Sequence, residues 1–168
     1  KYKIECGFVT TLHPWLGYQN LLDGPSRSFA YPGTIYKNFS LGRASNNALI
    51  PKTTSAMDAT CKVLNNLENK FESISYRVPT SIVSSADITV KLEEEIVKKD
   101  IVNLFNLVES KQKHDIFYNN FEPTVSNDYI KSPYSSIIDH RWTKTFKKKY
   151  LKILLWYDNE WGYSSRVV

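Results

Sequence analysis

The sequence predicts an α+β domain in which helices pack on one face of a mostly antiparallel, mixed sheet. Several runs alternate apolar and polar residues as half-buried strands do, and the clearest are Cys6 to His13 and Ile74 to Val78. Only two or three segments carry apolar residues at helical spacing, and no repeat is present. Strands that outnumber helices in this way favour a sheet covered by helices on one side. The chain has 168 residues, about one domain with a real core.

A long irregular stretch follows the first strand, which Pro14 is expected to end because proline lacks an amide hydrogen. The stretch runs from Gly17 to Pro51 and carries strong turn signals at Asp23-Gly24-Pro25 and Tyr31-Pro32-Gly33. Loops of this length inside a compact domain are usually functional or form an interface. We therefore expect this loop to lie at a subunit interface, or to be poorly ordered in an isolated chain.

Two helices and several further strands are predicted after the loop. Thr54 is expected to cap a helix that continues to about Leu67, and Asp100 to cap a second helix. The second helix has an apolar stripe of Ile101, Leu104, Phe105 and Val108. Strand-like runs extend from about Ile82 to Leu92, near Ile116, from Ser136 to Ile138 and from Tyr150 to Trp156. The last run leads into Asp158-Asn159-Glu160, a pattern typical of a strand-to-helix junction with a polar cap.

Composition excludes several classes of protein. Hydrophobic content of 42% and charged content of 23% are those of an ordinary globular protein. No apolar run approaches the roughly 20 residues that span a bilayer, and no signal peptide is visible. The two cysteines, Cys6 and Cys61, are too few for a disulfide framework, and neither has the spacing of a zinc site. We expect reduced thiols, no metal and a cytoplasmic location.

The net charge of +5 is concentrated in a run of lysines near the end of the chain. Such a run is typical of a solvated strand edge, where lysine discourages pairing with other strands. A basic nucleic-acid-binding module is the alternative, but no known binding motif accompanies the charge. The run comprises Lys144, Lys147, Lys148, Lys149 and Lys152.

A few polar residues at the ends of predicted elements form a candidate site. His13 closes a strand, although a single histidine is more often structural than catalytic. Arg77 lies on the polar face of a strand, where arginine pairs with a carboxylate or binds an anion. Thr54 and Ser55 open a helix, where hydroxyls and free amide hydrogens suit phosphate, although a simple cap is the commoner role. Together with Arg43 these residues predict a site for an anionic substrate.

Motifs along nearly the whole chain resemble the catalytic domain of phosphorylating glyceraldehyde-3-phosphate dehydrogenase. The order and spacing of these motifs make the resemblance specific. They are Thr10-Thr11-Leu12-His13, Gln19, Asp23-Gly24-Pro25-Ser26, Gly42-Arg43-Ala44, Ile50-Pro51, Thr53-Thr54-Ser55-Ala56, Tyr76-Arg77-Val78-Pro79-Thr80, Asp87-Ile88-Thr89 and Trp156-Tyr157-Asp158-Asn159-Glu160.

The resemblance implies a role for each candidate residue. His13 would be the general base beside a nucleophilic cysteine, and Arg77, Arg43, Thr54 and Ser55 would bind phosphate groups. Asn159 would hold the nicotinamide carboxamide, with Tyr163 nearby in the same motif. The resemblance also implies NAD or NADP as cofactor, a small phosphorylated aldehyde as substrate, and a homotetramer.

The chain departs from the family pattern in ways that bear on activity. The family's Ser-Cys-Thr-Thr-Asn segment and a Gly-x-Gly-x-x-Gly element are both absent. Residues 1–168 are therefore expected to be a truncated catalytic domain, whose Rossmann cofactor domain and nucleophilic cysteine lie upstream. Cys6 is too far along its strand from His13 to replace that cysteine, and Cys61 is expected to be buried and inert. The chain alone is thus expected to bind no cofactor and to be inactive.

Other departures concern the substrate and the assembly. Leu16 stands where the family places a phosphate-binding threonine, Tyr18 replaces a small or acidic residue, and Ser55 replaces a glycine. The loop from Gly17 to Pro51 is longer than the family's. These changes leave open another phosphorylated aldehyde as substrate and different subunit contacts. The alternative function is a stand-alone, non-catalytic domain of the same fold that binds anions or partners.

Overall fold

The computed structural model describes residues 2–28 and 31–168, and its centre is a single mixed sheet. The strands are β1 Ile4–Pro14, β2 Ile50–Lys52, β3 Phe71–Val78, β4 Ser84–Leu92, β5 Phe117–Asn120, β6 Ser136–Asp139, β7 Lys144–Phe146 and β8 Tyr150–Tyr157. The sheet order is β2-β3-β1-β4-β8-β6-β5, with β7 paired to β8. Strands β1 and β3 are parallel, as are β5 and β6, and the other pairs are antiparallel.

Within the described residues, three α-helices accompany the sheet: α1 Ala56–Val63, α2 Lys98–Lys111 and α3 Asn159–Val167. Helices α1 and α2 lie over the same face, because residues of both line one groove together with the strands. Helix α3 follows β8 directly. The predicted α+β architecture is confirmed. None of the helices in the described part of the chain is long and apolar enough to cross a membrane.

The apolar core forms where β4 and β8 meet α2. Alternate residues of the two strands point to the helix side, since successive side chains of a strand face opposite ways. Ile101 is the buried contact from α2. A smaller cluster of Val83, Tyr129 and Ile137 closes the other end of these strands. The main cluster contains Val90, Leu92, Ile96, Ile101 and Leu151.

The bounds of the two predicted helices need correction. Helix α1 ends at Val63, because Leu64 leaves the helical region at φ −117° and ψ 74°, and a 3-10 turn follows at Asn65–Leu67. Asparagines compete for backbone hydrogen bonds and shorten helices, a cost that the predicted apolar spacing ignored. The N-cap position of α1 is Ser55 rather than Thr54. No residue of α1 is buried, so the expectation of a buried Cys61 was also wrong: its side chain is half-buried.

The N-terminus of α2 was also misplaced. The helix begins at Lys98 with Val97 at the N-cap, one turn before the expected start. Asp100 lies in the first turn instead of capping the helix. A carboxylate there still interacts favourably with the positive end of the helix dipole. The predicted apolar stripe is only partly buried, because Val108 is exposed.

The long loop from Gly17 to Pro51 folds back on itself before β2 begins at Ile50. A small hairpin is held by hydrogen bonds from Ser28 N to Thr34 O and from Tyr36 N to Ser26 O, each 2.9 Å. The predicted turn at Tyr31-Pro32-Gly33 is present, and Gly33 has a φ of 86°, which glycine adopts without strain. The interface expected for this loop stays a prediction.

The lysine run lies around the β7–β8 hairpin, and β7 was not predicted. Its residues Lys147 and Lys148 form the turn, with φ values of 47° and 55°. Three of the lysines have partners in neighbouring segments: Lys148 pairs with Glu95 at 3.4 Å, Lys152 with Asp87, and Lys149 donates to a backbone carbonyl. Four of the five lysines lie on β7 or in its turn at the sheet edge, as expected, whereas Lys152 lies on β8 between β4 and β7.

Candidate active site

Five adjacent strands contribute facing residues to one row across the sheet, on the face that carries α1 and α2. Arg77 of β3 is in register with Ile50 of β2 on one side and with His13 of β1 on the other. Ser84 of β4 is in register with Tyr157 of β8. The row is continuous, because Ser84 Oγ lies 3.1 Å from His13 Nδ1. We call these five residues the His13 row.

The imidazole of His13 is held from three sides. Ser84 Oγ and Asn159 Nδ2 lie 3.1 and 3.2 Å from its Nδ1. The Tyr157 hydroxyl lies 3.4 Å from Nε2, and the tyrosine ring meets the imidazole edge-on with centroids 6.0 Å apart. These contacts fix the orientation of the ring at the end of β1.

The electrostatic environment keeps His13 neutral. Burial lowers the pKa of His13, and the charges of Arg77 and Lys52 lower it further, from 6.5 to about 4. A neutral imidazole carries one free lone pair at pH 7, so it can accept a proton. Sequence analysis did not single out Lys52, Ser84 or Tyr157. The strand register would have identified these residues, because all three lie in or beside the His13 row.

Arg77 is a cation without an acidic partner. Its Nη1 donates to the backbone oxygen of Pro14 at 3.3 Å, while its Nε is buried and has no hydrogen-bond partner. None of the ion pairs in the described part of the chain includes Arg77. A small cavity of about 50 Å³ lies beside it, with Leu16, Ser84 and Asn159 among its walls. The guanidinium can therefore bind an anion.

The start of α3 positions Asn159. Asp158 is the N-cap, as predicted, and its buried carboxylate accepts hydrogen bonds from the backbone amides of Glu160, Trp161 and Lys131 at 3.1, 3.0 and 2.9 Å. Asn159 is the next residue, so its amide group is held beside His13. Tyr163 follows one helical turn later and is 72% exposed.

The other predicted site residues are not joined to the His13 row. Arg43 Nε contacts Asp23 Oδ1 at 3.0 Å, within the long loop. Thr54 Oγ1 accepts from the backbone amide of Ala56 at 3.2 Å, and Ser55 is exposed at the N-cap of α1. No hydrogen bond within residues 2–28 and 31–168 links these three residues to His13 or Arg77. The structure brings together His13, Arg77 and Asn159.

An apolar groove of about 590 Å³ runs along the same face of the sheet between α1 and α2. Protein interiors rarely leave voids larger than a water molecule, so this volume is far from ordinary packing. The groove reaches the His13 row, since Tyr157 belongs to both. Thr11 Oγ1 is buried in the groove without a hydrogen-bond partner. The other walls include Val9, Ala86, Ile88, Leu155, Met57, Leu104 and Phe105.

Neither cysteine reaches the His13 row. The register of β1 is unbroken from Cys6 to Leu12, and successive residues alternate between faces. Cys6 is seven residues before His13, so it points to the opposite face of the sheet. Cys61 lies on α1 and lines a separate surface cavity. The arrangement can bind an anion at Arg77 and accept a proton at His13, but it lacks a thiol at that point.

Known proteins are similar to this sequence over its whole length. The family model described as glyceraldehyde 3-phosphate dehydrogenase, C-terminal domain, matches residues 1–159. The cytosolic glyceraldehyde-3-phosphate dehydrogenase of Chlamydomonas reinhardtii is 35% identical over 168 residues, which are 100% of this chain and 47% of that protein. Glyceraldehyde-3-phosphate dehydrogenase 2 of Bacillus subtilis is 33% identical over 168 residues, 100% of this chain and 46% of that protein.

A third relative gives the same result. The cytosolic glyceraldehyde-3-phosphate dehydrogenase of Craterostigma plantagineum is 38% identical over 169 residues, 100% of this chain and 47% of that protein. The chain thus spans just under half the length of these relatives, and the resemblance found from its motifs is confirmed. With the fold, the family model and the relatives in agreement, this chain belongs to the glyceraldehyde-3-phosphate dehydrogenase family and matches its C-terminal domain.

Proposed function

We propose that this chain is the catalytic domain of an NAD(P)-dependent, phosphorylating oxidoreductase. Its reaction would oxidise a small phosphorylated aldehyde through a cysteine thioester, which phosphate then cleaves. The observation that carries the proposal is the His13 row, where a neutral imidazole lies next to an arginine with no acidic partner. A base beside a free cation is the arrangement this chemistry needs.

Each residue of the site would have a distinct task. His13 accepts the proton of the thiol, because its low pKa leaves a lone pair free at neutral pH. Ser84 and Tyr157 keep the ring in place through the contacts described above. Arg77 binds the phosphate of the substrate and so places the aldehyde near His13. Arg43, Thr54 and Ser55 would bind the second phosphate once the loop and α1 meet the remaining parts of the site.

The fit of a nicotinamide cofactor rests on Asn159. Its amide is exposed at the start of α3, lines the small cavity and lies 3.2 Å from His13 Nδ1. A primary amide both donates and accepts, so it can pair with the carboxamide of a nicotinamide. The cofactor, when bound, would accept the hydride. Asn159 would then turn from His13 to the carboxamide, with Tyr163 close by on the same helix.

We further propose that the apolar groove receives the segment that bears the nucleophilic cysteine. The groove is open, it lies between two helices, and it reaches Tyr157, whose hydroxyl lies 3.4 Å from His13 Nε2. A segment packed there would cover the apolar walls, could supply a partner for Thr11 Oγ1, and would bring its end to the imidazole. Residues 1–168 would then be one of two domains, the other being a Rossmann domain that holds the cofactor.

Self-association is part of the proposal. The face of the sheet opposite the groove exposes Phe8 at 66%, together with Leu12 and Ile74. In the long loop, Phe39 is 86% exposed, and Leu22 and Leu49 are also exposed. Apolar surface of this extent is typical of interfaces. A homotetramer of the intact protein would bury both surfaces. Relatives named cytosolic lead us to propose the cytoplasm as its location.

A direct assay tests the function. The intact protein, given glyceraldehyde 3-phosphate, NAD or NADP and phosphate, is expected to produce reduced nicotinamide, measured by its absorbance. The 168-residue chain alone is expected to give none. Turnover by the chain alone that disappears after Cys6→Ser or Cys61→Ser would contradict the proposed division of the site.

The groove assignment has its own test. In the chain alone, Thr11→Val should leave the free energy of unfolding unchanged or raise it, because it removes a buried hydroxyl without a partner. In the intact protein the same change should lower that free energy, since the segment in the groove would lose a hydrogen bond. Equal effects in both proteins would argue that nothing fills the groove.

A non-catalytic anion-binding domain is the second candidate. The observation that favours it is that the His13 row and the neighbouring Lys52 offer two cations but no thiol. An intact protein that binds phosphate through Arg77 but oxidises no aldehyde would decide for this alternative. Loss of phosphate binding in Arg77→Gln is expected under both candidates, so the aldehyde assay is the discriminating measurement.

A further inference from the structure

Lys52 lies one row away from His13 and Arg77 on the same face of the sheet. It is the last residue of β2 and is in register with Ser75 of β3, which in turn faces Thr11 of β1. Arg77 and His13 lie two residues further along those strands. Side chains two residues apart on a strand share a face. Lys52 therefore extends from the edge strand towards the same side of the sheet as the two site residues.

Lys52 and Arg77 are neighbouring cations, and neither is paired with an acidic side chain of the described residues. Lys52 Nζ donates to the backbone oxygen of Thr53 at 2.8 Å, and Lys52 takes part in none of the ion pairs of the described residues. Burial lowers the pKa of Lys52, and the charge of Arg77 lowers it further. Two like charges held together without compensation are unfavourable. A bound anion would remove that cost.

The residues near Lys52 and Arg77 are consistent with an anion bound by both cations. Leu16, which occupies the place of the family's phosphate-binding threonine, lines the small cavity beside Arg77 and has no side-chain donor. Lys52 also directly precedes Thr53-Thr54-Ser55, the turn that opens α1. The chain thus lacks one neutral donor near Arg77 and carries an additional charged donor on the adjacent strand.

We propose that Lys52 is a specificity-determining residue, which with Arg77 binds one phosphate group and makes the site select dianions over monoanions. The assignment of that phosphate to the substrate or to the second reactant rests on the proposed function, whereas the preference for dianions does not. A phosphate dianion neutralises both cations, whereas a monoanion leaves one uncompensated. The discrimination is kept at moderate salt, because half-buried charges are screened less than exposed ones.

Binding of two small anions to the intact protein tests the inference. Isothermal titration calorimetry at about pH 8 compares inorganic phosphate, mostly dianionic there, with dimethyl phosphate, a monoanion. Lys52→Gln should weaken phosphate binding about tenfold, the effect of one charge-assisted hydrogen bond, and dimethyl phosphate binding much less. Lys52→Arg should keep most of the affinity. Lys144→Gln, a change at an exposed lysine of β7, is the matched control and should bind both anions normally.

Kinetics of the same variants identify the source of the phosphate. A raised KM for the aldehyde phosphate in Lys52→Gln assigns the site to the substrate, and a raised KM for inorganic phosphate assigns it to the second reactant. Unchanged phosphate affinity in Lys52→Gln, or an equal loss for both anions, overturns the inference even if the protein is active. If the intact protein is inactive but still prefers dianions through Lys52, the inferred role of Lys52 is kept and the proposed function is rejected.

Discussion

Two histidines of this domain differ in burial and in surroundings: His13 is half-buried, and His140 is fully buried. His13 lies near the end of β1, close to two cations, Arg77 and Lys52, and Arg77 Nε has no hydrogen-bond partner. His140 lies just after β6 and is 1% exposed. Its Nε2 lies 2.9 Å from Asn119 Oδ1 and its Nδ1 lies 3.1 Å from Thr143 Oγ1. The ring stacks on Phe121 with centroids 4.9 Å apart.

The polar atoms around His140 have hydrogen-bond partners within the fold. Asn119 donates from Nδ2 to Glu109 Oε2 at 2.8 Å, so its oxygen is the atom that faces the imidazole. Lys98 donates to the backbone oxygen of His140 at 3.0 Å. Both ring nitrogens have a partner, and the charges of Asp139 and Glu109 act on the imidazole in opposition to that of Lys98. We call His140, Asn119, Thr143 and Glu109 the His140 cluster.

The comparison supports the functional role that we propose for His13 and a structural role for His140. Burial is the largest cause of the lowered pKa at both His13 and His140, so a low pKa alone does not distinguish them. Unfilled hydrogen-bonding capacity does, because a folded protein leaves buried polar atoms without partners mainly where a ligand or another segment supplies them. That capacity is found beside His13, at Arg77 Nε and Thr11 Oγ1, and is filled in the His140 cluster.

The largest expected effect is on catalysis. In the intact protein His13→Gln should lower kcat by about 10²–10⁴-fold, the usual contribution of a general base, with little change in Tm. His140→Gln should do the reverse, lowering Tm while the folded protein keeps its kcat. Steady-state kinetics and thermal unfolding of both variants measure this. If His140→Gln lowered kcat as much as His13→Gln, the division into a functional and a structural histidine would be wrong.

The next largest effect concerns stability. Asn119→Ala removes the residue that links His140 to Glu109, so buried groups lose their partners. We expect the free energy of unfolding to fall by about 2–4 kcal/mol, measured by urea denaturation. The matched control is Asn66→Ala, at an exposed asparagine, which should change it by less than about 0.5 kcal/mol. A similar loss in both variants would show that the His140 cluster contributes no special stability.

How much of this could be predicted from the sequence differs between the two histidines. His13 was found because Pro14 ends its strand and the family motif surrounds it. Arg77 and Asn159 were found in the same way, since each lies within a recognisable motif. The His140 cluster could not be foreseen, because its partners come from β5, α2 and the turn after β6, which only the folded chain brings together.

The same limit applies to the fold. Alternating strands were predicted because burial of one face leaves a clear period of two. The edge strands β2 and β7, with 3 residues each, are too short to show that period. The site residues Ser84 and Lys52 were missed for a related reason: their importance depends on strand register, which links positions 71 residues apart in the case of Ser84 and His13.

The pH dependence of stability sharpens the comparison. Both histidines have folded pKa values below the 6.5 of the unfolded chain, and that of His13 is about 4. Between those values the unfolded chain binds more protons than the folded one, so acid favours unfolding. The histidine contribution is fully present above about pH 6.5 and is lost as pH falls towards about 4. Urea denaturation at several pH values in this range measures it.

Variants separate the two contributions. His13→Gln should flatten the pH dependence between about pH 6.5 and 4, and His140→Gln should flatten it below about pH 6.5, because each removes one group whose folded pKa is lowered. The titration of Asp139 does not account for this pH dependence of the free energy of unfolding. Burial raises the pKa of its carboxyl, but hydrogen bonds from Arg141 and Trp156 together with the arginine charge outweigh burial, so it stays below 3.8 and titrates at lower pH. An unchanged slope in both variants would contradict the assignment.

The smallest expected effect on stability is at Arg43, which belongs to neither histidine's surroundings. Its pair with Asp23 is mostly exposed, at 66% and 61%, and exposed pairs contribute little because water and salt screen them. Arg43→Gln should therefore leave Tm unchanged. A hydrogen bond from the Ala44 amide lowers the pKa of Asp23, and the Arg43 side chain lowers it further. The backbone bond persists in the variant.

If Arg43 binds phosphate in the intact protein, as the family motif implies, Arg43→Gln should raise the KM for phosphate at constant Tm. Arg27→Gln, in the same loop, is the control and should change neither. A large fall in Tm for Arg43→Gln alone would instead make Arg43 a structural residue of the loop, like those of the His140 cluster.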